Sequence, residues 1–482
     1  MDLAQLQKLD PLDKIASKSS NLTIRYVTFN VNGVKTLFNY YPWTQFNQDY
    51  DLLFSSLQAD IITLQELKLS SSNISSVKNI GHLPHYKSFI SIPKVKRGYS
   101  GVGLFVRIPR EEESSAVRRN LQVIKAEEGI TGYLSSGLSG DVCYRDLPES
   151  ESIGGYPDDL DSVMGLELDS EGRCVCIELA CNLVVFALYC PANSMGEDEG
   201  EAFRLNFLKN LLKRCYNLKY KHGKEVIVMG DINVSLDLID SAEGIDDRQK
   251  QRLVLPKTDG IDFETINYDE CFNFKRSTRA RALLNQYTIQ SLQHNLSLDR
   301  HPDYEQQFLY DTTRYLQGRR MQMYTVWNTL NSSRAINFGS RIDLILASSY
   351  RMIKNISNAD IWPFILGSDH CPVFTDFEAL EIDKPEESKS AKLHFEAKYH
   401  HKLSQVRDIS LLFSRKRTST SENNSQNSSQ NSASDETEVK RTKPEASSTK
   451  SAFKYVSRKP KKVDGTKPIS TFFTLNSTKK SL

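Results

Sequence analysis

Along the chain, apolar positions recur in short runs at alternating spacing. The stretches 24–30, 60–64, 101–107, 174–179, 183–189, 225–230, 342–347 and 371–377 are rich in β-branched and aromatic residues and predict strands. Between 183–189 and 225–230, Phe203, Phe207, Leu208, Leu211, Leu212 and Cys215 recur at helical spacing. Gly223 then stands where a helix commonly ends. Strands alternating with helical segments predict an α/β architecture. Two stretches break the alternation. Residues 109–162 are rich in Ser, Glu and Gly with little periodicity, and 237–320 is long and charged, with a basic cluster at 275–281 and the pair Arg319 and Arg320. Loops this long inside a compact domain are usually functional or disordered. No internal repeat is visible.

The 482 residues suffice for one large domain or two to three ordinary ones. No apolar run approaches the ~20 residues of a membrane span, and residues 1–20 lack the apolar stretch of a secretory signal. All eight cysteines lie before residue 372 and none forms a C-x-x-C pair, so neither a zinc ribbon nor a disulfide framework is encoded. Several sit in strand-like runs as small hydrophobes, and a reducing compartment is the simpler reading.

The net charge of +2 hides an asymmetry: residues 384–482 hold 21 basic and 10 acidic side chains, whereas 1–383 hold 41 and 50. An acidic body can carry a metal site and a basic tail can be drawn to polyanions, although many solvated tails are basic without any partner. The organisation that follows is an extension over 1–21, a body over 22–383 and a tail over 384–482. Within the tail, TSTSENNSQNSSQNSAS (418–434) has too few apolar residues to offset its ordering entropy and reads as a disordered tether. Beyond it Ile469, Phe472 and Phe473 form an apolar group in polar surroundings, as a short docking motif would.

Five segments put acidic or amide side chains at the ends of predicted strands. They are Asn30 and Asn32 in TFNVNG, Glu66 in IITLQELK, Asp231 and Asn233 in VIVMGDIN, Asp343 in SRIDLIL, and Asp369 with His370 in GSDHCPV. Strand ends in α/β sheets form the crevice where ligands bind. One such Asp is commonly a turn or a helix cap; five in this form are hard to attribute to turn chemistry. The set suits phosphodiester hydrolysis. A hard divalent cation takes carboxylate oxygens, attacking water needs a base, and the phosphorus transition state needs positive charge and donors.

These motifs, NVNG, LQELK, LYCPANS, GDIN, GSRID and GSDH, occur in an order that resembles the exonuclease III/AP-endonuclease branch of the endonuclease–exonuclease–phosphatase superfamily. The resemblance runs over about residues 22–377. The large insertions and long tail are similar to the second eukaryotic branch of that family, its fungal forms especially. It implies a four-layered α/β sandwich, two packed mixed β-sheets flanked by helices, followed by a disordered C-terminal tail. It implies Mg2+ as cofactor, with Mn2+ as an alternative, and damaged double-stranded DNA as substrate: incision 5′ to abasic sites and removal of 3′-terminal groups and nucleotides.

Residue by residue, the resemblance makes Glu66 the principal metal ligand, with Asn32 near the metal and Asp369 at a second metal position. Asn30 orients the catalytic Asp231, which activates or positions the attacking water. Asn233 contacts the scissile phosphate, His370 stabilises its charge, and Asp343 holds the His370 ring. Asp231, Asn233 and His370 also count in the metal-binding set. Tyr189 is a phenol at the phosphate, Asn193 a phosphate-binding amide if its loop is displaced by one residue, and Trp327 a wall of the abasic pocket. Val326 and Ser340 replace larger aromatics, which tilts the expectation toward 3′-end processing. The segment 466–473 resembles the motif that binds the sliding clamp PCNA, through Ile469, Phe472 and Phe473. The basic run 458–462 points to the nucleus, and nothing requires more than a monomer. Two alternatives stay open: another hydrolase on the same scaffold (an RNA deadenylase, inositol-phosphate phosphatase or DNase I-like nuclease), or a non-catalytic clamp-bound scaffold.

Overall fold

The computed structural model describes residues 10–69, 79–94, 99–137, 142–193, 196–290, 307–381, 393–401 and 403. The chain divides into two units, Met1–Val406 and Arg407–Leu482, and every described residue belongs to the first. The docking motif at Ile469, Phe472 and Phe473 and the tether lie outside the described residues.

Fifteen strands are described: β1 Thr23–Asn30, β2 Ile61–Gln65, β3 Tyr86–Ser91, β4 Val102–Arg107, β5 Val123–Glu128, β6 Cys174–Leu179, β7 Leu183–Tyr189, β8 Glu225–Asp231, β9 Thr288–Ile289, β10 Leu309–Asp311, β11 Val326–Trp327, β12 Gly339–Ser340, β13 Asp343–Ala347, β14 Ile356–Ile361 and β15 Val373–Glu378. They form a six-stranded sheet in the order β14-β15-β1-β2-β4-β3, a seven-stranded sheet in the order β5-β6-β7-β8-β13-β10-β9, and the small ribbon β11-β12. Both large sheets are mixed. β1 lies parallel to β2 and β7 parallel to β8, while β15, β4, β6 and β13 flank these pairs antiparallel.

The period-2 alternation of side chains explains the layering. Ile24 and Tyr26 of β1, Leu104 and Val106 of β4, Val175 and Ile177 of β6, and Ile227 and Met229 of β8 share one core between the sheets. The alternate residues face outward under helices. Val27, Phe29, Ile62 and Phe105 pack on Leu53 and Phe54 of the helix Tyr50–Ser56. Cys174, Cys176, Phe186 and Val228 pack on Phe207, Leu211 and Cys215 of the long helix Asp198–Tyr220. Two sheets face to face with helices outside make the four-layered sandwich.

Both charged interruptions contain structure. The stretch 109–162 holds the helix Ser115–Leu121 and strand β5. The stretch 237–320 holds Ala242–Lys250, Gly260–Ile266 and Tyr268–Arg276, gathered on a small core of Leu238, Ile239, Ile245, Val254, Phe263, Cys271 and Phe274, and Arg279–Tyr287, whose Ala280 and Leu284 join the core under the long helix. Helices of seven to nine residues span barely two turns, too few for the 3.6-residue period to stand out. Past the composition break near residue 383, Leu393, Phe395 and Ala397 are buried, and Glu396 bridges to Phe89, so this segment covers the edge strand β3. Among the described residues no helix is long and apolar enough to cross a membrane.

Candidate active site

The parallel pairs β1/β2 and β7/β8 end at the same pole. β1 closes on Asn30, β2 on Gln65 just before Glu66, β7 on Tyr189 and β8 on Asp231; β13 starts with Asp343 directly opposite Asp231. Each critical turn leaves its strand through a left-handed residue: Asn32 at φ 46°, Glu66 at φ 51° and Asn233 at φ 56°. Asn tolerates this region through local hydrogen bonds, whereas for Glu it is uncommon. Glu66 is held there by its own carbonyl, which accepts from Gly33 N at 2.8 Å, and by Leu67 N donating to Gly101 O at 3.1 Å. Gly230 permits the approach of β8 to β7, because a Cβ on it would stand 2.0 Å from Leu188 O.

Asn30 is the buried hinge of the group. Its Nδ2 donates to Glu66 Oε1 at 3.0 Å and to Asp231 Oδ2 at 2.9 Å. The other oxygen of Asp231, Oδ1, accepts from Asn233 N at 2.9 Å, and Asn233 Nδ2 donates to Cys190 O at 2.8 Å. Across the cleft, His370 Nδ1 bonds Asp343 Oδ2 at 2.8 Å, and His370 Nε2 lies 4.0 Å from Asp231 Oδ2. Ser368 fixes that loop, donating to Asn30 O at 2.7 Å and accepting from His370 N at 3.2 Å.

The electrostatics separate the roles. Burial and the neighbouring Asp343 charge push the Asp231 carboxyl up to about 7, against His370, Asn30 and Asn233. Burial works against a charge on His370, but Asp343 outweighs it, with help from Asp231 and Asp369, and raises the imidazole to about 10. At neutral pH the ring is therefore a cation with Nε2–H facing the cleft, while Asp231 sits where it can take a proton. Burial, Glu66 and Asp231 raise the Tyr189 phenol well above its ordinary value, against Arg173, so it remains a donor.

Two groups of ligand atoms invite a metal. Ligand atoms of Asp231, Asp343 and His370 lie within 4.8 Å of one another. That trio is better read as a proton relay, because a charged imidazole whose Nδ1 is committed to Asp343 has no lone pair to give. The rim fits better. Glu66 Oε2, at 3.1 Å, and Asn32 Oδ1 both bond the Lys68 ammonium, and Asn32 Nδ2 donates to Asp369 Oδ1 at 3.0 Å. Hard oxygen donors that already gather round a positive charge suit a divalent cation.

Of the sequence candidates, Asn30, Asn32, Glu66, Asp231, Asn233, Asp343, Asp369 and His370 are joined by these contacts, and Tyr189 stands beside Asp231 in register. Asn193 points elsewhere: its Nδ2 donates to Glu197 O at 3.1 Å, at the start of the long helix. Trp327 touches the site through its backbone, N–H to Asp369 O at 3.0 Å, but its ring is 4% exposed and lies under the Arg334 guanidinium at 4.4 Å. The same Arg334 bonds Ser368 O at 2.8 Å, tying the ribbon to the His370 loop. Sequence reasoning gave no role to Lys68, Ser368, Arg334, Arg173 or Tyr99. Lys68 and Ser368 stand inside the quoted motifs. Arg173 carried no signal; it reaches Tyr99 OH at 2.7 Å and lies 5.1 Å from the centre of the Tyr189 ring.

The insertion meets the site at β13. Arg341, two residues before Asp343, bonds Asp240 at 2.8 Å and Asp311 at 2.7 Å, and Arg314 also bonds Asp240. Arg319 and Lys275 bind Asp237 at 2.5 and 3.0 Å. All seven side chains are buried.

Comparison with known proteins gives one family. Residues 27–370 match the endonuclease/exonuclease/phosphatase family. DNA-(apurinic or apyrimidinic site) endonuclease 2 of Saccharomyces cerevisiae is 44% identical over 418 residues, covering 84% of this chain and 76% of that protein. The protein of the same name in Schizosaccharomyces pombe is 32% identical over 356 residues, covering 74% of this chain and 58% of that one. The fold is similar to the crystal structure of the Xenopus laevis APE2 catalytic domain, with TM-score 0.55 and 23% identity, over 78% of this chain and 97% of that domain.

Proposed function

We propose, from the premise that this chain belongs to the endonuclease/exonuclease/phosphatase family, that it is a DNA repair nuclease. Its substrates are phosphodiesters 5′ to abasic sites, an endonuclease action at such sites being what the name shared by its two yeast relatives supports, and blocked or mismatched 3′ ends. The observation that carries the reading is the Asn30–Asp231 hydrogen bond of 2.9 Å facing the His370–Asp343 pair. It sets a proton acceptor and an imidazolium on opposite sides of one cleft, as attack of water on a phosphate requires.

Asp231, held by Asn30 and by Asn233 N, orients the water and takes its proton. His370, kept charged by Asp343, donates Nε2–H to a phosphate oxygen. Tyr189 supplies a second donor from β7. Glu66, Asn32 and Asp369 would hold Mg2+, with Mn2+ as a substitute. When bound, a divalent ion neutralises charge developing on the phosphate. A buried Trp327 does not offer its face to an extrahelical sugar, which favours work on 3′ ends. The basic tail supports a nuclear protein working on DNA, and the motif at 466–473 supports docking on PCNA.

The test places purified protein and Glu66→Ala on two labelled duplexes with Mg2+: one with an internal abasic analogue, one with a recessed, mismatched 3′ end. Faster digestion of the recessed end, lost in the variant, is expected. Activity confined to RNA or inositol phosphates would overturn the substrate assignment.

A further inference from the structure

At the opposite pole from the catalytic loops, a cavity of about 410 Å³ is walled by Lys87, Arg107, Arg118 and Arg119 and by the carbon surfaces of Ile108 and Leu121. β4 connects the two places. Its first residue, Val102, pairs with Gln65 at the catalytic end, and its last, Arg107, lines the cavity. At about 3.3 Å per residue the separation is roughly 16 Å.

The cations in this wall differ in how they are satisfied. Arg107 is neutralised, with Nε on Asp60 at 2.7 Å and its other nitrogens on Glu113 at 2.9 and 2.8 Å. Among the described residues nothing pairs with the side chains of Lys87, Arg118 or Arg119, and Arg119 Nε is buried without an acceptor. Burial pulls the Lys87 ammonium below its ordinary pKa, with Glu396 opposing and Lys398 adding to it. That Glu396 is itself engaged by Lys398 at 2.7 Å. Lys87 and Arg119 are half-buried and Arg118 is exposed, and a buried donor without an acceptor, as at Arg119 Nε, is costly. An anion supplies the missing acceptor.

We propose that this cavity binds a small phosphorylated anion, its phosphate on Arg118, Arg119 and Lys87 and its carbon portion against Ile108 and Leu121. Guanidinium forks match the geometry of phosphate oxygens, and the volume is that of a small-molecule site. The apolar wall favours a nucleoside monophosphate over bare phosphate. None of these residues touches the catalytic group, so the proposal stands independently of the nuclease reading.

The test is calorimetric titration of the full chain in metal-free buffer with deoxyadenosine 5′-monophosphate and, separately, inorganic phosphate. Wild type is compared with Arg118→Ala/Arg119→Ala and with Lys87→Met, which serves if the double variant does not fold. Saturable binding weakened about tenfold or more in the variants, with duplex cleavage unchanged, is the expected result. Tighter binding of the nucleotide shows the apolar wall in use. Equal affinities keep the site and identify free phosphate as its ligand. Absence of saturable binding to wild type, or equal binding by the variants, overturns the proposal.

Discussion

From the last residue of β1 the chain reads Asn30-Val31-Asn32, and from the last residue of β8 it reads Asp231-Ile232-Asn233. In both turns the middle residue is buried and the third is left-handed. In both, the third residue's N–H donates to the side chain of the first, at 3.1 Å in the β1 turn and 2.9 Å in the β8 turn. One backbone device thus ends a parallel strand in each sheet, and only the head group differs. The amide of Asn30 donates to two carboxylates and holds them at fixed separation; the carboxylate of Asp231 only accepts. The supports differ as well. The β1 turn sits on a partly exposed rim beside Lys68, whereas the β8 turn leads into the buried ionic hub of Asp240, Arg341 and Arg314. Asn30 and Asp231 are both buried, but the neutral donor stands beneath an exposed rim, whereas the proton acceptor is backed by paired charges.

Asp231→Asn makes the two turns chemically alike and is the sharpest way to break the comparison. It should lower kcat by roughly 10²–10⁴-fold while leaving the fold intact, since the Asn233 N–H keeps an acceptor. Asp240→Ala removes the support of the β8 turn and leaves Arg314 and Arg341 buried without their shared partner. A loss of about 3–5 kcal/mol in chemical denaturation is expected. Burial opposes the charge on Asp240, but Arg341 and Arg314 outweigh it and hold the carboxyl well below its ordinary range. Its contribution is therefore full at neutral pH and is lost only as pH falls below about 4 through the depressed value, so the gap between variant and wild type should close in acid.

Asp343→Asn acts on the other side of the cleft. The pH–rate profile of the wild type should rise with ionisation of Asp231 and fall as His370 loses its proton near 10. Removing Asp343 should bring the alkaline limb down by about 1–3 pH units, because the charge that opposes desolvation is gone. The smallest effect belongs to the backbone device itself. Asn32→Ala places an ordinary residue in the left-handed region and should cost about 1–2 kcal/mol of stability, and Asn32→Gly less. A similar difference between Asn233→Ala and Asn233→Gly would show that both turns depend on the same geometry.

Much of this was legible in the sequence. All eight stretches read as strands became strands, since each carries enough β-branched and aromatic residues to fill two packed faces, as Ile24 to Asn30 do in β1. β14, an edge strand, escaped because Ser357 and Asn358 break its apolar run. β5 escaped because Lys125, Glu127 and Glu128 read as surface, although Glu127 is buried against Arg214 at 2.6 Å. The site residues were legible where a turn motif carried them. Arg173 and Arg341 were not, because a buried arginine is indistinguishable in sequence from a solvated one until its partners are known. The echo between the two turns is three residues long, too short to register as a repeat.

Asp231 is the proton acceptor on which cleavage depends, and single-turnover cleavage of a duplex carrying one abasic analogue tests this most directly. Wild type and Asp231→Asn are compared at saturating enzyme with Mg2+, duplex affinity being measured in parallel. The prediction is equal affinity with a chemical step slowed at least about 10²-fold in the variant. Cleavage by Asp231→Asn at a near-normal rate would contradict it.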